Sequence, residues 1–337
     1  MRTSFRWIAV TASVLLAAAF PGIAAAAAGS SSVLRKVADI PLPGPAVRFD
    51  YQSLDAKDGR LYISHMNANH LVVFNTRTRQ VIANLPGFTG IHGVLAVPAI
   101  GRVFASVTGE HRVAAVDMST LKTIATAGPI DYPDGIAYAP GTKRIFVSDE
   151  HGGIDAVIDT STNRLIARIT LGGGAGNTVY DAGSGQILVA VHRVNQLAAI
   201  DPASLKIVAR YALTGLQDPH GIALDERDRL AFIAGESNHA LAVFDLKTRK
   251  LLAVHQVGDD PDVLAFDPGL NILYVAAESG IVTVFHLSGD TLRRMGTLDM
   301  PHAHSVAVDP TTHLVYFPLQ DVDGRPLLRI MRPASQR

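Results

Sequence analysis

Asp134-Gly-Ile-Ala-Tyr-Ala-Pro-Gly-Thr-Lys-Arg-Ile-Phe-Val-Ser148 carries two short apolar runs around a Pro140-Gly141 turn. The same design returns as His220-Gly-Ile-Ala-Leu-Asp225 and as Asp262-Val-Leu-Ala-Phe-Asp-Pro268. Short runs rich in β-branched residues, punctuated by turn residues and without helical period, read as antiparallel strands. The first position of the unit falls at Asp50, His92, Asp134, Gly176, His220, Asp262 and His304, with separations of 42, 42, 42, 44, 42 and 42 residues. That period is the length of a four-stranded propeller blade. The reading is therefore an all-β, seven-bladed β-propeller of four-stranded antiparallel blades, with blade starts near 50, 92, 134, 176, 220, 262 and 304.

The second half of each unit is as regular as the first. Val72-Val-Phe-Asn75, Ala114-Ala-Val-Asp117, Ala156-Val-Ile-Asp159, Ala198-Ala-Ile-Asp201 and Ala242-Val-Phe-Asp245 each precede a polar turn. The recurrent Asp117, Asp159, Asp201 and Asp245 are assigned to turns, where a carboxylate accepts backbone N–H bonds. Asp55, Asp181, Asp225, Asp267 and Asp309 are assigned in the same way to the other hairpin. The last unit has three strands, through Leu327 to Met331. Leu34-Arg-Lys-Val-Ala-Asp-Ile-Pro-Leu-Pro-Gly44 matches the fourth strand of other units, so residues 33–43 are expected to complete the last blade and close the ring. One propeller domain then covers residues 33–332.

Arg2 and Arg6, an apolar run from Ile8 to Phe20, and the small residues Ala24 to Ala28 form the pattern of a secretory signal peptide over residues 1–28, with cleavage near Ala26 or Ala28. The run is too short to span a bilayer, so no stable membrane insertion is expected after its removal and the location is periplasmic or secreted. The 337 residues contain no cysteine, which removes disulfides, thiolate metal sites and lipid-modified cysteine. Thirty basic side chains balance 30 acidic ones, with no basic block to neutralise phosphates, so nucleic acid is an unfavoured partner.

The pattern Gly-apolar-Ala-apolar, a Pro/Gly turn, a Leu-Tyr-Val-like strand and an Ile-Asp-Thr-like strand runs most fully from Asp134 to Gly172. It resembles the YVTN repeats of the YncE-like family of exported bacterial propellers, over essentially the whole chain after the leader. The resemblance implies the architecture; its members and their lactonase-like relatives differ in what they bind, so it leaves the activity open. Trp7, in the leader, is the sole tryptophan, a poor fit to Trp-Asp repeats and to tryptophan-docked quinoprotein propellers.

Two registers converge on one mouth of the central channel. The first, in ring order, alternates imidazole and carboxylate: His220, Asp262, His304, Asp50, His92 and Asp134, with Gly176 as the seventh member. The second reads Met66, Thr108, Glu150, His192, Glu236, Glu278 and Gln320. One reading places a divalent metal ion on His92, His220 and His304, with Asp50, Asp134 and Asp262 as ligands or as acceptors that orient the imidazoles. Glu150 or Glu236 would then serve as general base. The other reading has the same side chains hydrogen-bond between neighbouring blades. Arg48, His192, Arg193 and Glu278 are further ligand-binding candidates at the mouth. His302 is assigned to a connection rather than to the site, and Gly172-Gly-Gly-Ala-Gly176 to a loop between blades, since neither a helix nor Lys-Ser/Thr follows it.

These features favour a periplasmic propeller that binds a small molecule, a metal ion or a periplasmic protein at the channel mouth. The alternatives are a metal-dependent lactonase or lyase that uses the His/Asp ring, and nucleic-acid binding, which the resemblance alone implies.

Overall fold

The strands Leu230–Gly235 and Ala240–Asp245 are apolar and buried almost from end to end, whereas the following strand Lys250–Gln256 alternates exposed and covered positions. A middle strand needs apolar side chains on both faces because a neighbouring sheet packs on each side. An outer strand meets solvent on one face and keeps the two-residue period. The same gradient repeats in other blades, for example from Gln186–Val191 to Lys206–Ala212.

The computed structural model describes residues Ser32–Ala334, which form seven four-stranded antiparallel sheets. Six sheets take their strands in chain order, as in Pro133–Ala139, Arg144–Asp149, Ile154–Asp159 and Arg164–Thr170. The seventh combines Ala307–Asp309, Leu314–Val322 and Arg325–Pro333 with the N-terminal strand Leu34–Pro41. Inner strands pack on one another all the way round, including Ala307–Asp309 on Gln52–Asp55. The chain is a seven-bladed β-propeller closed by its N-terminal strand, as the spacing of the repeats requires. The expected leader lies outside the described residues. Among the described residues no helix is long and apolar enough to cross a membrane.

The closing strand pairs antiparallel with Arg325–Pro333 in a register running from Leu34 opposite Pro333 to Pro41 opposite Leu327. Arg329 clasps Asp39 through two bonds of 2.8 Å. The Arg329 bond outweighs burial and holds the Asp39 carboxyl below its usual range. Elsewhere the blades are latched by Arg60, Arg102 and Arg144, one repeat apart, each donating to a backbone carbonyl in the hairpin of the next blade. The aspartates assigned to turns do accept turn N–H groups, for example Asp159 from Ser161 and Thr162 at 2.9 and 2.8 Å.

The core lies between blades. Leu197 and Ile222 pack across one interface, Leu241 and Leu264 across the next, and Leu71 with Val94 and Val113 with Ile136 across two others. The third interface departs from this rule. There the pair is Asp155 and Thr178, fully buried, with a hydroxyl-to-carboxylate contact of 3.3 Å.

Candidate functional site

The strands Ile91–Val97, Pro133–Ala139, Ala175–Asp181, Pro219–Asp225 and Pro261–Asp267 each break register directly after their first residue, over the stretch that holds His92, Asp134, Gly176, His220 and Asp262. A bulge turns a side chain away from the pleat. Repeated in five blades, it aims the first register at the channel mouth. Asp50 and His304 differ, since both stand just before their inner strands, Gln52–Asp55 and Ala307–Asp309. Glycine follows the register in three blades, at Gly93, Gly135 and Gly221, where the next blade comes close. A Cβ on Gly93 would lie 1.9 Å from the Asp134 carbonyl oxygen, and one on Gly221 would lie 1.8 Å from that of Asp262.

Asp50, His92, Asp134, His220, Asp262 and His304 are all buried. Neighbours around the ring approach without tight hydrogen bonds: His92 Nε2 to Asp50 at 3.9 Å, His304 Nε2 to Asp50 and Asp262 at 3.9 Å each, and His220 Nε2 to Asp134 and Asp262 at 3.6 Å each. The ring does not gather its three imidazoles around one point. It places two other triads within ligand distance, His192 with His220 and Glu236, and Asp50 with Asp262 and His304.

His220 is the most heavily engaged. Its Nδ1 lies 3.2 Å from both Glu236 and His192 Nε2, and its Nε2 lies 3.1 Å from the Tyr51 hydroxyl. Burial works to lower its pKa, but the carboxyls of Glu236, Asp262, Asp134 and Glu150 prevail and raise it to about 9. Burial, with the His220 charge beside it, lowers His192 to about 4, so it stays neutral and its Nε2 accepts a hydrogen bond from His220 Nδ1–H. Gly176 leaves room for this contact: a Cβ there would meet the His192 ring and the His220 backbone. His92 is held differently. Its Nδ1 donates to the Gly90 carbonyl at 2.8 Å and its Nε2 accepts from the Tyr132 hydroxyl at 3.0 Å.

Inside the ring is a cavity of about 180 Å³ whose walls bring seven carboxyl groups (Asp50, Asp134, Glu150, Glu236, Asp260, Asp262 and Glu278) against Arg48, His92 and His220. Arg48 is paired with Glu278 at 2.5 Å. Burial raises Asp134 to about 7, Asp262 to about 6 and Glu236 to about 8. Such values mark carboxyls that lack enough positive charge. Glu150, Glu236 and Glu278 of the second register thus reach the same cavity as the first. Arg193 does not; it is exposed and lines a separate groove of about 270 Å³ with Glu150 and Gly172 to Gly174. His302 sits exposed in a left-handed turn, φ 63°, outside the site.

The sequence reading missed Tyr51, Tyr132 and Asp260. Tyr51 reaches across the channel to His220, with Asp134 at 3.5 Å from the same hydroxyl. Its signal was available: it occupies the register held by Gly93, Gly135 and Gly221 in other repeats. Tyr51→Phe leaves His220 and Asp134 without that hydroxyl and is expected to cost about 1–2 kcal/mol of stability. Urea unfolding at neutral pH checks this; a midpoint equal to that of the parent would show that the bridge contributes nothing.

No family model and no curated protein sequence matches this chain. Among solved structures, a chain described as Kuenenia stuttgartiensis hydrazine synthase superposes with a TM-score of 0.73 at 16% identity, covering 88% of this chain and 97% of that one. The RRP9 WD40 repeats superpose with a TM-score of 0.75 at 9% identity, over 89% of this chain and 100% of that one. U3-55K gives 0.74 at 10% identity, over 88% and 98%. At these identities the likeness is one of fold.

Proposed function

We propose that this chain is an exported, YncE-like binding propeller that takes up a small cationic ligand at the channel mouth. The observation that carries the reading is the cavity of about 180 Å³ in which seven carboxyl groups face one arginine and two imidazoles. An enclosed surplus of carboxylate attracts cations and repels anions, and low-dielectric walls strengthen both effects. A polyanion finds no support at this mouth, which speaks against the nucleic-acid reading. The leader pattern of residues 1–28 supports a periplasmic location.

Calorimetric titration of the chain freed of its leader tests the reading with 1,4-diaminobutane and divalent metal ions against succinate as the anionic control. Cations are expected to bind one per chain, and at least about tenfold more weakly in Asp134→Asn and Glu150→Gln, in line with the loss of charge-assisted contacts. Binding of succinate in preference to both cation classes would overturn the reading.

A second reading, a metal-assisted lactonase or lyase, draws support from Glu150 and Glu236, which face the same cavity and are placed to move a proton. Turnover of a lactone panel that depends on added metal and is lost in Glu236→Gln is the result that would favour it.

A further inference from the structure

We propose that Asp50, Asp262 and His304 form a divalent metal site of zinc type, with Glu278 orienting the imidazole; the inference rests on the cation-binding reading and names the ion and its ligands. Each residue offers one ligand atom, and the three atoms lie within 4.8 Å of one another. Their side chains are only 3, 9 and 5% exposed. Two oxygens, one from each aspartate, stand 3.9 Å from His304 Nε2, too far for hydrogen bonds. His304 Nε2 has no hydrogen-bond partner although buried; the unpartnered oxygen of Asp262 is the one that faces His220. Leaving that imidazole nitrogen unpaired is costly, and an ion bound to it removes the cost. A triangle with two sides of 3.9 Å and a third of no more than 4.8 Å leaves its centre no more than about 2.5 Å from each corner, within a few tenths of an ångström of zinc bonds to nitrogen and oxygen.

The local backbone suits that small closure. His304 precedes the short strand Ala307–Asp309 and has no strand pairing of its own, so the imidazole can shift without breaking a ladder. Its other nitrogen, Nδ1, faces Glu278 at 3.9 Å, and Glu278 is in turn held by Arg48. That contact is too long for a hydrogen bond as it stands; closed up by rotation of the Glu278 side chain, it would let Nδ1–H donate to the carboxylate and present the Nε2 lone pair to the ion, the usual carboxylate–histidine–metal arrangement. Asp50 and Asp262 also line the cavity, so three protein ligands leave a coordination position open to it. One imidazole with two carboxylates favours zinc over calcium or magnesium, which prefer oxygen alone.

The other triad is closed by its own contacts. His192, His220 and Glu236 meet at 3.2 Å, and Tyr51 occupies the remaining nitrogen of His220. An ion there would have to displace the two contacts that His220 Nδ1 already makes, whereas at Asp50, Asp262 and His304 it breaks no hydrogen bond.

The test uses the chain freed of its leader, made without a histidine tag, stripped with chelator and titrated with Zn²⁺, Mn²⁺, Ca²⁺ and Mg²⁺. One Zn²⁺ per chain is expected, with affinity reduced at least about 100-fold in His304→Ala and Asp262→Asn and about tenfold in Glu278→Gln. X-ray absorption of the zinc-loaded parent, which needs no variant to fold, should show one imidazole in a nitrogen–oxygen shell. Two imidazoles, or zinc retained by His304→Ala and lost by His192→Ala, would move the ion to the other triad and overturn the assignment. Diaminobutane binding without zinc binding refutes the metal site and leaves the cation reading standing. Failure of both cations refutes both.

Discussion

Deletion of residues 33–43 is expected to abolish cooperative folding of the whole ring rather than to loosen one blade. The strand Leu34–Pro41 supplies the outer ladder of the last sheet, and its removal leaves Arg325–Pro333 as an unpaired edge. Leu34 and Leu42 are 2% and 6% exposed, and burying each contributes about 2 kcal/mol. Adding the Asp39–Arg329 clasp, the loss is a large share of a net stability of about 5–15 kcal/mol. A blade weakened at the closure also loosens its contacts with both neighbours, because Ala307–Asp309 packs on Gln52–Asp55 on one side and on Pro261–Asp267 on the other. Circular dichroism melting of the deletion should give a broad transition or none, and a synthetic peptide of residues 33–43 should restore a sharp one by adding the missing strand. A deletion that melts as sharply and as high as the parent would show that the ring does not depend on its closure.

This closure was legible because repeats expose what is missing from one of them. Seven register positions at near-constant spacing defined the ring, and a last unit with three strands pointed to Leu34–Pro41 as the fourth. Spacing also brought Asp50, Asp134, Asp262 and the three histidines to one mouth. It could not say which of them meet, since a shared register places residues on a circle and ligands must meet at a point. The choice was made by contacts outside the register. Tyr132 and the Gly90 carbonyl occupy both nitrogens of His92, while His192, Glu236 and Tyr51 occupy those of His220. His304 alone is left with a free buried nitrogen between two carboxylates.

The hidden residues share a cause. Tyr51 stands where three other repeats carry glycine, and Asp155 stands where others carry Leu71, Val113, Leu197 and Leu241. A search for polar columns passes over a polar residue in an apolar column. In a repeat protein, departures from the repeat are as informative as the repeat itself, because every other blade serves as the control for what packing alone requires.

Replacing Asp155 with leucine should therefore stabilise the protein, and do so more as pH rises. Asp155 is completely buried; Ser148 lies opposite it on one flanking strand, Ile169 on the other and Thr178 on the next blade, and none of these titrates. Burial raises its pKa to about 8, against the small opposing effect of the Thr178 and Val147 hydrogen bonds. The folded value lies above the unfolded one of about 3.9, so the native state binds a proton that the unfolded chain has released. Stability is then fully present below pH 4 and falls by about 1.4 kcal/mol per unit as pH rises towards 8. Asp155→Leu removes that slope and restores the apolar interface found between other blades; Asp155→Leu with Thr178→Ile reproduces the Leu197–Ile222 pair and should gain more, since the two positions touch. Asp155→Asn separates the causes: it abolishes the titration but keeps a buried polar group, so it should flatten the pH dependence with a smaller gain. Urea unfolding of parent and variants from pH 5 to pH 9 measures the difference directly. A parent whose stability does not fall over this range relative to Asp155→Leu would show that the carboxyl is not held protonated, and a destabilised leucine variant would show that the third interface cannot adopt the packing of the others.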